Sequence, residues 1–236
     1  MQHLHSEFEH MFRHTWTTSD KDLLKKNADI STQSTSRMIA VLEAVRYISN
    51  NNIKGDIVEC GVYLGITPFL CATECKKLND NRHIWSYDTF EGIREIDIGN
   101  NDIIRPEKQL SDAKEYFDSK EGKWCVCSIE DVKKNVRRAN YSEELLHYIE
   151  GPVQETIPKF IPEAISFLRL DMDLAIPTRH AINFLWERVT KYGIIQVDDY
   201  GYFKGVKDVI DEFVANKHVY IHEIDYTGIS IIKFED

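Results

Sequence analysis

The sequence lacks any apolar run that approaches the ~18 consecutive residues of a transmembrane helix. The first residues, MQHLHSEFEHMFRHTW, also have no apolar core of signal-peptide length. Basic residues are few, since 29 Lys and Arg against 39 Asp and Glu give a formal net charge of −10. Nucleic-acid binding needs clustered cations to displace counterions, so we expect no DNA or RNA partner. We expect a cytoplasmic protein without a membrane partner.

Cysteine, glycine and proline are also scarce. The five cysteines are an odd number, and none lies at the spacing of a zinc site, so we expect buried, reduced thiols and a reducing compartment. With 11 Gly and 6 Pro, and with 42% apolar residues, the composition is that of an ordinary globular chain. No Ser or Cys has an obvious His partner, so covalent nucleophilic catalysis is not indicated.

The chain divides into a polar segment and a patterned one. Residues 1–34 are rich in histidine and weakly periodic, so we expect a mobile or lid-like arm, followed by a single domain over residues 35–236. Helical spacing predicts a helix over 35–51, with Thr35 or Ser36 as its N-cap. We predict strands at 56–60, 83–88, 145–151, 165–171, 193–199, 218–224 and 228–234, and helices near 67–78, 107–118, 128–139, 153–160, 177–190 and 205–216.

This alternation of strands and helices predicts an α/β fold with a mostly parallel sheet covered on both faces. Only YTG separates HVYIHEID from ISIIKF in the last two predicted strands. Three residues are too few for a parallel crossover, so these strands must form an antiparallel hairpin. A seven-stranded sheet that ends in such a hairpin is the Rossmann-like layout of the class I methyltransferases.

Carboxylates follow the apolar strands where an open α/β sheet binds its ligands. In GIIQVDDYGYF two of them, Asp198 and Asp199, are adjacent, and burying an unpaired carboxylate is costly. Neighbouring parallel strands bring Asp171 within reach of this pair, and an oxygen-only cluster suits Mg²⁺ or another hard divalent cation. The alternative is that these acids cap helices or pair with Arg169 and Lys204 on the surface.

The first two strands end in features typical of nucleotide binding. In ECGVYLG, Gly61 and Gly65 allow the backbone to approach a ligand closely, and the next helix offers its N-terminal amides to an anion. Asp88 ends the second strand, where a carboxylate typically binds both hydroxyls of a ribose; a capping role is the alternative.

Together, IKGDIVECGVYLG, HIWSYDTFEGI, LLHYIEGPVQETIP, FLRLDMDL and GIIQVDDYGYFKG resemble the macrocin O-methyltransferase family over about residues 35–216. These are metal-dependent methyltransferases of sugar hydroxyls. The resemblance implies transfer of a methyl group from S-adenosylmethionine to a hydroxyl of a sugar or sugar-containing small molecule, with Mg²⁺ beside the acceptor. An alcohol needs this help, because its pKa is far above neutral pH until a cation lowers it and a carboxylate takes the proton.

The resemblance also implies the site residues. Asp171, Asp198 and Asp199 match the metal ligands, and Asp171 also matches the general base. The implied cofactor-binding residues are Thr35, Ser36, Glu59, Gly61, Tyr63, Asp88, Ser128, Gln154 and Asp171. The chain departs from the family after the fourth strand, where DLAIPT at 173–178 replaces DLYEST, and this change near the mouth of the site bears on the acceptor more than on the reaction.

Two other functions are compatible with parts of the sequence. Asp171-Met-Asp173 has the D-x-D form of a metal-dependent nucleotide-sugar glycosyltransferase, although this leaves Asp198, Asp199 and the glycine turn unexplained. A catalytically silent binding module would keep the fold but fail to bind S-adenosylmethionine. A homo-oligomer is also possible if the N-terminal arm crosses to a second subunit.

Overall fold

The computed structural model describes residues 16–104 and 113–235. The strands are Asp56–Cys60 (β1), Ile84–Asp88 (β2), Leu146–Glu150 (β3), Ile165–Leu170 (β4), Val189–Val197 (β5), Val219–Glu223 (β6) and Ile229–Lys233 (β7). The α-helices are Thr18–Lys26 (α1), Thr35–Asn50 (α2), Ile66–Leu78 (α3), Ala113–Ser119 (α4), Ile129–Val136 (α5), Val153–Thr156 (α6), Ala175–Leu185 (α7) and Lys204–Val214 (α8).

The strands form one seven-stranded sheet in the order β3-β2-β1-β4-β5-β7-β6. The first five in this order are parallel, and β7 pairs antiparallel with both β5 and β6. The hairpin turn is closed by Asp225, whose Oδ1 accepts the backbone N–H groups of Thr227 and Gly228 at 3.0 and 2.8 Å. The predicted fold class is therefore confirmed, including the antiparallel hairpin.

Apolar side chains leave the sheet on both faces and form two cores. Because side chains alternate along a strand, Ile57 of β1 enters the core beneath α2 and α3, while Val58 enters the core beneath α7 and α8. Strand β4 is buried along its whole length, as expected for a central parallel strand. This packing fixes the carboxyl ends of the strands relative to one another.

Helix α1 was not predicted, because TSDKDLLKK has too few apolar residues to show a helical period. It is held by a capping box, in which Thr17 and Asp20 each accept the other's backbone N–H. Leu24, together with Trp16 and Ile30 on either side of the helix, is buried in the same core as α2. The division of the chain at residue 34 stays a prediction, and residues 1–15 lie outside the described part.

Several predicted boundaries differ from the observed ones. The N-cap of α2 is Ser34, which accepts the backbone N–H of Arg37, and neither Thr35 nor Ser36 has this role. The helix predicted over 153–160 ends at Thr156, because Pro158 has no backbone N–H with which to continue the helical hydrogen bonds. The helix predicted over 107–118 is observed from Ala113, and its earlier part lies outside the described residues.

All five cysteines are free, and four of them are buried, as predicted. Within the described ranges, no helix combines the length and the hydropathy needed to span a bilayer.

Candidate active site

A cavity of about 290 Å³ opens at the carboxyl ends of β1, β2, β4 and β5. Its wall contains the turn after β1, the strand-end carboxylates, the start of α6, the segment before α2 and the turn between β6 and β7. This is the edge of an open α/β sheet at which ligands bind. Most of the candidate residues that the sequence indicated lie on this wall.

The glycine turn packs against the acidic end of β4. Gly61 has φ +86°, and a Cβ at this position would lie 1.9 Å from the backbone carbonyl oxygen of Asp171. The sequence predicted that glycine lets the backbone approach a ligand. Here the close approach is to the chain itself, so the absence of a side chain at Gly61 allows β1 and β4 to end side by side.

Asp88 organises the same turn and also faces the cavity. Its Oδ2 accepts the backbone N–H groups of Val62 and Tyr63 at 2.6 and 3.1 Å, and its Oδ1 accepts that of Phe90 at 2.8 Å. These bonds hold turn backbone, and Gly65 is the N-cap of α3, so the alternative role of Asp88 as a helix cap is not observed. Asp88 and Tyr63 both line the cavity, which is compatible with the predicted binding of ribose by Asp88 and of the cofactor by Tyr63. Both roles stay predictions.

Three carboxylates converge at the ends of β4 and β5. Asp171, Asp173 and Asp199 each place an oxygen so that the three atoms lie within 4.8 Å of one another. Asp173 has φ +62°, a left-handed conformation, in the turn after β4. All three residues line the cavity.

This group has the properties of a cation site. Burial and the neighbouring Asp171 raise the pKa of Asp173 to about 8, and burial together with Asp173 raises the pKa of Asp199 well above its ordinary value. The Oδ2 atom of Asp199 is buried and has no hydrogen-bond partner among the residues that the structure describes. A divalent cation would relieve this repulsion, and an oxygen-only donor set suits a hard ion such as Mg²⁺.

The structure places Asp198 outside this group, although the sequence predicted it as a metal ligand. Its Oδ1 accepts a hydrogen bond from Arg169 and its Oδ2 accepts one from Arg37. The predicted alternative of pairing with Arg169 is thus observed, but in the interior, because Arg169 is only 1% exposed. Lys204 does not take part and pairs with Asp208. Asp198 and Asp199 follow Val197, the last residue of β5, and they meet different partners.

Arg169 also holds Glu59 and Asp171. Its Nη1 donates to Glu59 Oε1 at 2.8 Å and to Asp171 Oδ2 at 2.5 Å. Burial, with a contribution from Asp171, raises the pKa of Glu59 to about 8. Glu59 does not belong to the described lining of the cavity, so its predicted contact with the cofactor would require a side-chain movement.

Gln154 reaches the cavity from the start of α6. Its Nε2 donates to Asp97 Oδ1 at 2.8 Å, and Arg94 donates to both oxygens of Asp97 at 2.7 and 2.9 Å. Within the described part of the chain, the Oε1 atom of Gln154 is buried without a partner, so it can accept a hydrogen bond from a ligand. Cofactor binding by Gln154 stays a prediction, and Arg94 and Asp97 were not predicted.

Three predicted residues do not reach the described wall of the cavity. Thr35 and Ser36 lie in the first turn of α2, and Ser128 is the exposed N-cap of α5, where it accepts the backbone N–H of Asp131 at 3.2 Å. Their neighbours Gln33 and Arg37 do line the cavity, and Gln33 Nε2 lies 3.3 Å from Asp171 Oδ2. Gln33 and Arg37 were not predicted, because no motif marks them. Their position beside Thr35 and Ser36 was the only signal in the sequence.

Comparison with known proteins places this geometry in a family. The sequence model of the family described as Macrocin-O-methyltransferase (TylF) matches residues 6–233. Among curated proteins, demethyldecarbamoylnovobiocin O-methyltransferase of Streptomyces niveus is 28% identical over 76% of this chain. The 8-demethyl-8-(2,3-dimethoxy-alpha-L-rhamnosyl)-tetracenomycin-C 4'-O-methyltransferase of Streptomyces olivaceus is 26% identical over 78% of this chain.

The chain spans 65% and 68% of the lengths of these two relatives. Among solved structures, that of the O-methyltransferase NovP superposes with a TM-score of 0.74 and 25% identity, and the match covers 86% of this chain and 81% of the other.

Proposed function

Because the chain belongs to the macrocin O-methyltransferase family, we propose that it transfers the methyl group of S-adenosylmethionine to a hydroxyl of a sugar-bearing small molecule, with a divalent cation at Asp171, Asp173 and Asp199. The observation that carries the proposal is the convergence of these three carboxylates in the same cavity as Asp88 and Gln154. A cofactor held by Asp88 and Gln154 and an acceptor at the carboxylates would then share one cavity.

In this proposal Asp171 accepts the proton of the acceptor hydroxyl. Two donors hold its Oδ2, Arg169 at 2.5 Å and Gln33 at 3.3 Å, and they fix the direction of the carboxylate. A carboxylate that is oriented in advance transfers a proton without first reorganising its surroundings.

The acidic group fits Mg²⁺ by its donor atoms and by the unpartnered oxygen of Asp199. When bound, a divalent cation lowers the pKa of an alcohol and favours its alkoxide form. Asp198 stays a prediction as a fourth ligand, since one of its oxygens would first have to leave Arg37 or Arg169.

The names of the relatives support a sugar acceptor, because one is named for methylation of a rhamnosyl group. We propose the same class of acceptor for this chain. One part of the cavity wall is aromatic, since Tyr116 and Trp124 lie against each other there, and a sugar ring can pack on such a surface.

The first test is calorimetric titration of the EDTA-treated protein with S-adenosylhomocysteine, with and without Mg²⁺. We expect binding under both conditions, because the predicted cofactor contacts do not include the cation. Absence of binding under both conditions in folded protein would exclude the methyltransferase function. Binding of a nucleotide sugar instead, dependent on metal, would support the glycosyltransferase alternative.

The second test is turnover with a panel of rhamnosides and other deoxysugar glycosides. We expect Asp171→Asn to lower kcat by about 10²- to 10⁴-fold while the affinity for S-adenosylhomocysteine is retained. The matched control is Asp118→Asn, which removes an exposed carboxylate paired only with Lys114 in the described structure. Loss of turnover and of cofactor affinity together in Asp171→Asn would show that Asp171 acts through the cofactor contact that the resemblance implies rather than as the base.

A further inference from the structure

Arg37 joins the acidic cluster to the turn between β6 and β7. Its Nη1 pairs with Asp198 Oδ2, and its Nε donates to Asp225 Oδ2 at 3.1 Å. Ser34 donates to the same Asp225 oxygen at 2.5 Å. The guanidinium group therefore links the start of α2, the end of β5 and the hairpin turn.

The aliphatic part of the Arg37 side chain packs against the turn at Gly228. A Cβ at Gly228 would lie 3.1 Å from both Cγ and Cδ of Arg37, so the glycine leaves room for the aliphatic part of the side chain. The side chain of Arg37 is 13% exposed and lines the cavity, as do Tyr226 and Thr227 of the turn. The position of the turn and the position of Arg37 therefore depend on each other.

Arg37 also belongs to a row of alternating charges, of which the first three are buried while Arg37 and Asp225 are 13% and 10% exposed. Glu59, Arg169, Asp198, Arg37 and Asp225 follow one another from β1 to the hairpin turn, and each contacts the next. In this row of charges, both oxygens of Asp198 accept hydrogen bonds from arginines. Asp199, in contrast, has a buried oxygen without a partner among the described residues. The arginines thus decide which carboxylates remain for another cation.

We propose that Arg37 is a positioning residue with two separable effects: its charge limits the affinity of the acidic cluster for a divalent cation, and its two-carboxylate contact fixes the 225–228 turn at the wall of the cavity. The first effect rests on the cation site of the proposed function. It follows because Arg37 adds a positive charge beside the cluster and keeps Asp198 out of it. The second effect rests only on the contacts of Arg37 with Asp198, Asp225 and Gly228.

Three variants separate these effects. Arg37→Met removes both the charge and the contact. Arg37→Lys keeps the charge, but a single ammonium group lacks the planar fork that reaches two carboxylates. Arg46→Met is the matched control, because Arg46 lies on the same helix and also bridges two carboxylates, those of Asp20 and Glu74, but does not line the cavity.

The charge effect is measured as the affinity of the full-length protein for Mn²⁺, by titration followed with electron paramagnetic resonance. We expect Arg37→Met to bind Mn²⁺ about tenfold more tightly, the order expected for removal of one nearby charge in a partly screened site. Arg37→Lys and Arg46→Met should match the wild type. Equal or weaker binding by Arg37→Met would overturn this effect, and so would tighter binding by Arg46→Met.

The contact effect is measured as hydrogen exchange of the backbone N–H groups of Thr227 and Gly228, which donate to Asp225. We expect exchange to accelerate at least about tenfold in both Arg37 variants and not in Arg46→Met. Unchanged exchange in a folded Arg37→Lys would overturn the contact effect. If Arg37→Met does not fold, the exchange rates of Arg37→Lys alone test this effect. Should the wild type bind no Mn²⁺, the metal part of the proposed function and the charge effect both fail, while the exchange result still decides the contact effect.

Discussion

At the residue scale, the central charge of the site is Arg169. This side chain is 1% exposed and contacts carboxylates from three places in the chain, Glu59, Asp171 and Asp198. Removing one member of a buried ionic group leaves the others without compensation, and this costs more than the group contributes to stability as a whole.

We expect Arg169→Met to lower the free energy of unfolding by about 3–5 kcal/mol, measured by urea denaturation monitored with circular dichroism. The control is Arg179→Met, since Arg179 and its partner Glu212 are 48% and 67% exposed. That substitution should cost about 0–1 kcal/mol. Similar losses in the two variants would mean that the buried network contributes no more than a surface pair.

A second residue-scale prediction concerns Gly61. In Gly61→Ala the new methyl group would meet the carbonyl of Asp171, so we expect weaker binding of S-adenosylhomocysteine in calorimetry and a lower unfolding temperature. Gly122→Ala is the matched control: Gly122 also has positive φ, at +71°, but a Cβ there would make only ordinary contacts with Phe117, at 3.5 Å and beyond. It should show the cost of a left-handed alanine, about 1–2 kcal/mol, with unchanged affinity. Equal effects would mean that conformation rather than contact explains Gly61.

At the element scale, α1 is attached by a charge pair as well as by its apolar residues. Arg46 of α2 donates to Asp20 Oδ1 at 2.6 Å and to Glu74 Oε1 at 2.8 Å, and both carboxylates are buried. Although burial alone would raise it, hydrogen bonds from Arg46 and Thr17 lower the pKa of Asp20 below its ordinary value. The charged form of Asp20 is therefore favoured by folding.

We expect Asp20→Asn to lower the free energy of unfolding by about 1–3 kcal/mol at neutral pH. Because the pKa of Asp20 is lowered in the folded state, its stabilising contribution is complete above the ordinary aspartate pKa and is lost as the pH falls through the folded value. Urea denaturation of both proteins across the acid range should show the difference shrinking toward low pH. A difference that stays constant with pH would exclude the charged pair as its source.

The same elements show what sequence pattern can predict. Six of the seven strands were predicted to within one residue at each end, because continuous apolar runs and a short hairpin connection leave few alternatives. The strand predicted over 193–199 begins earlier, at Val189, and ends at Val197. Helix α1 was missed because its stability comes from the capping box and from Arg46, 20 residues beyond its end, rather than from apolar periodicity. The Thr17 to Asp20 spacing was the available signal.

At the scale of the whole molecule, binding of the cofactor and the cation should appear as separate increments of stability. A ligand at about 100 times its Kd adds about 2.7 kcal/mol, which raises the Tm of a domain of this size by several degrees. We expect S-adenosylhomocysteine and Mg²⁺ each to raise the Tm of the wild type. In Asp199→Asn, only the shift with S-adenosylhomocysteine should remain; an undiminished shift with Mg²⁺ would place the cation elsewhere.

The site residues that directly follow a strand were predictable from the sequence. Contacts between segments that are far apart in the sequence were less predictable. Asp88, Asp171 and Asp199 follow apolar strands, and the rule for sheet edges brings them into one cavity. The partners of Asp198 were not predictable in the same way, because Arg37 comes from a helix 161 residues earlier. Pairing between segments so far apart depends on tertiary packing, which no local pattern encodes.

The contact between Gly61 and the Asp171 carbonyl joins the turn next to Asp88 to the strand end that bears the acidic cluster. This contact is made by backbone atoms with no intervening side chain, so we expect a displacement of one segment to move the other. We therefore expect the proposed cofactor and cation sites to be coupled, in which case thermodynamic reciprocity requires that each ligand change the other's affinity by the same factor. The order in which cofactor and cation enter would alter the kinetics of assembly but not the total free energy of the filled site.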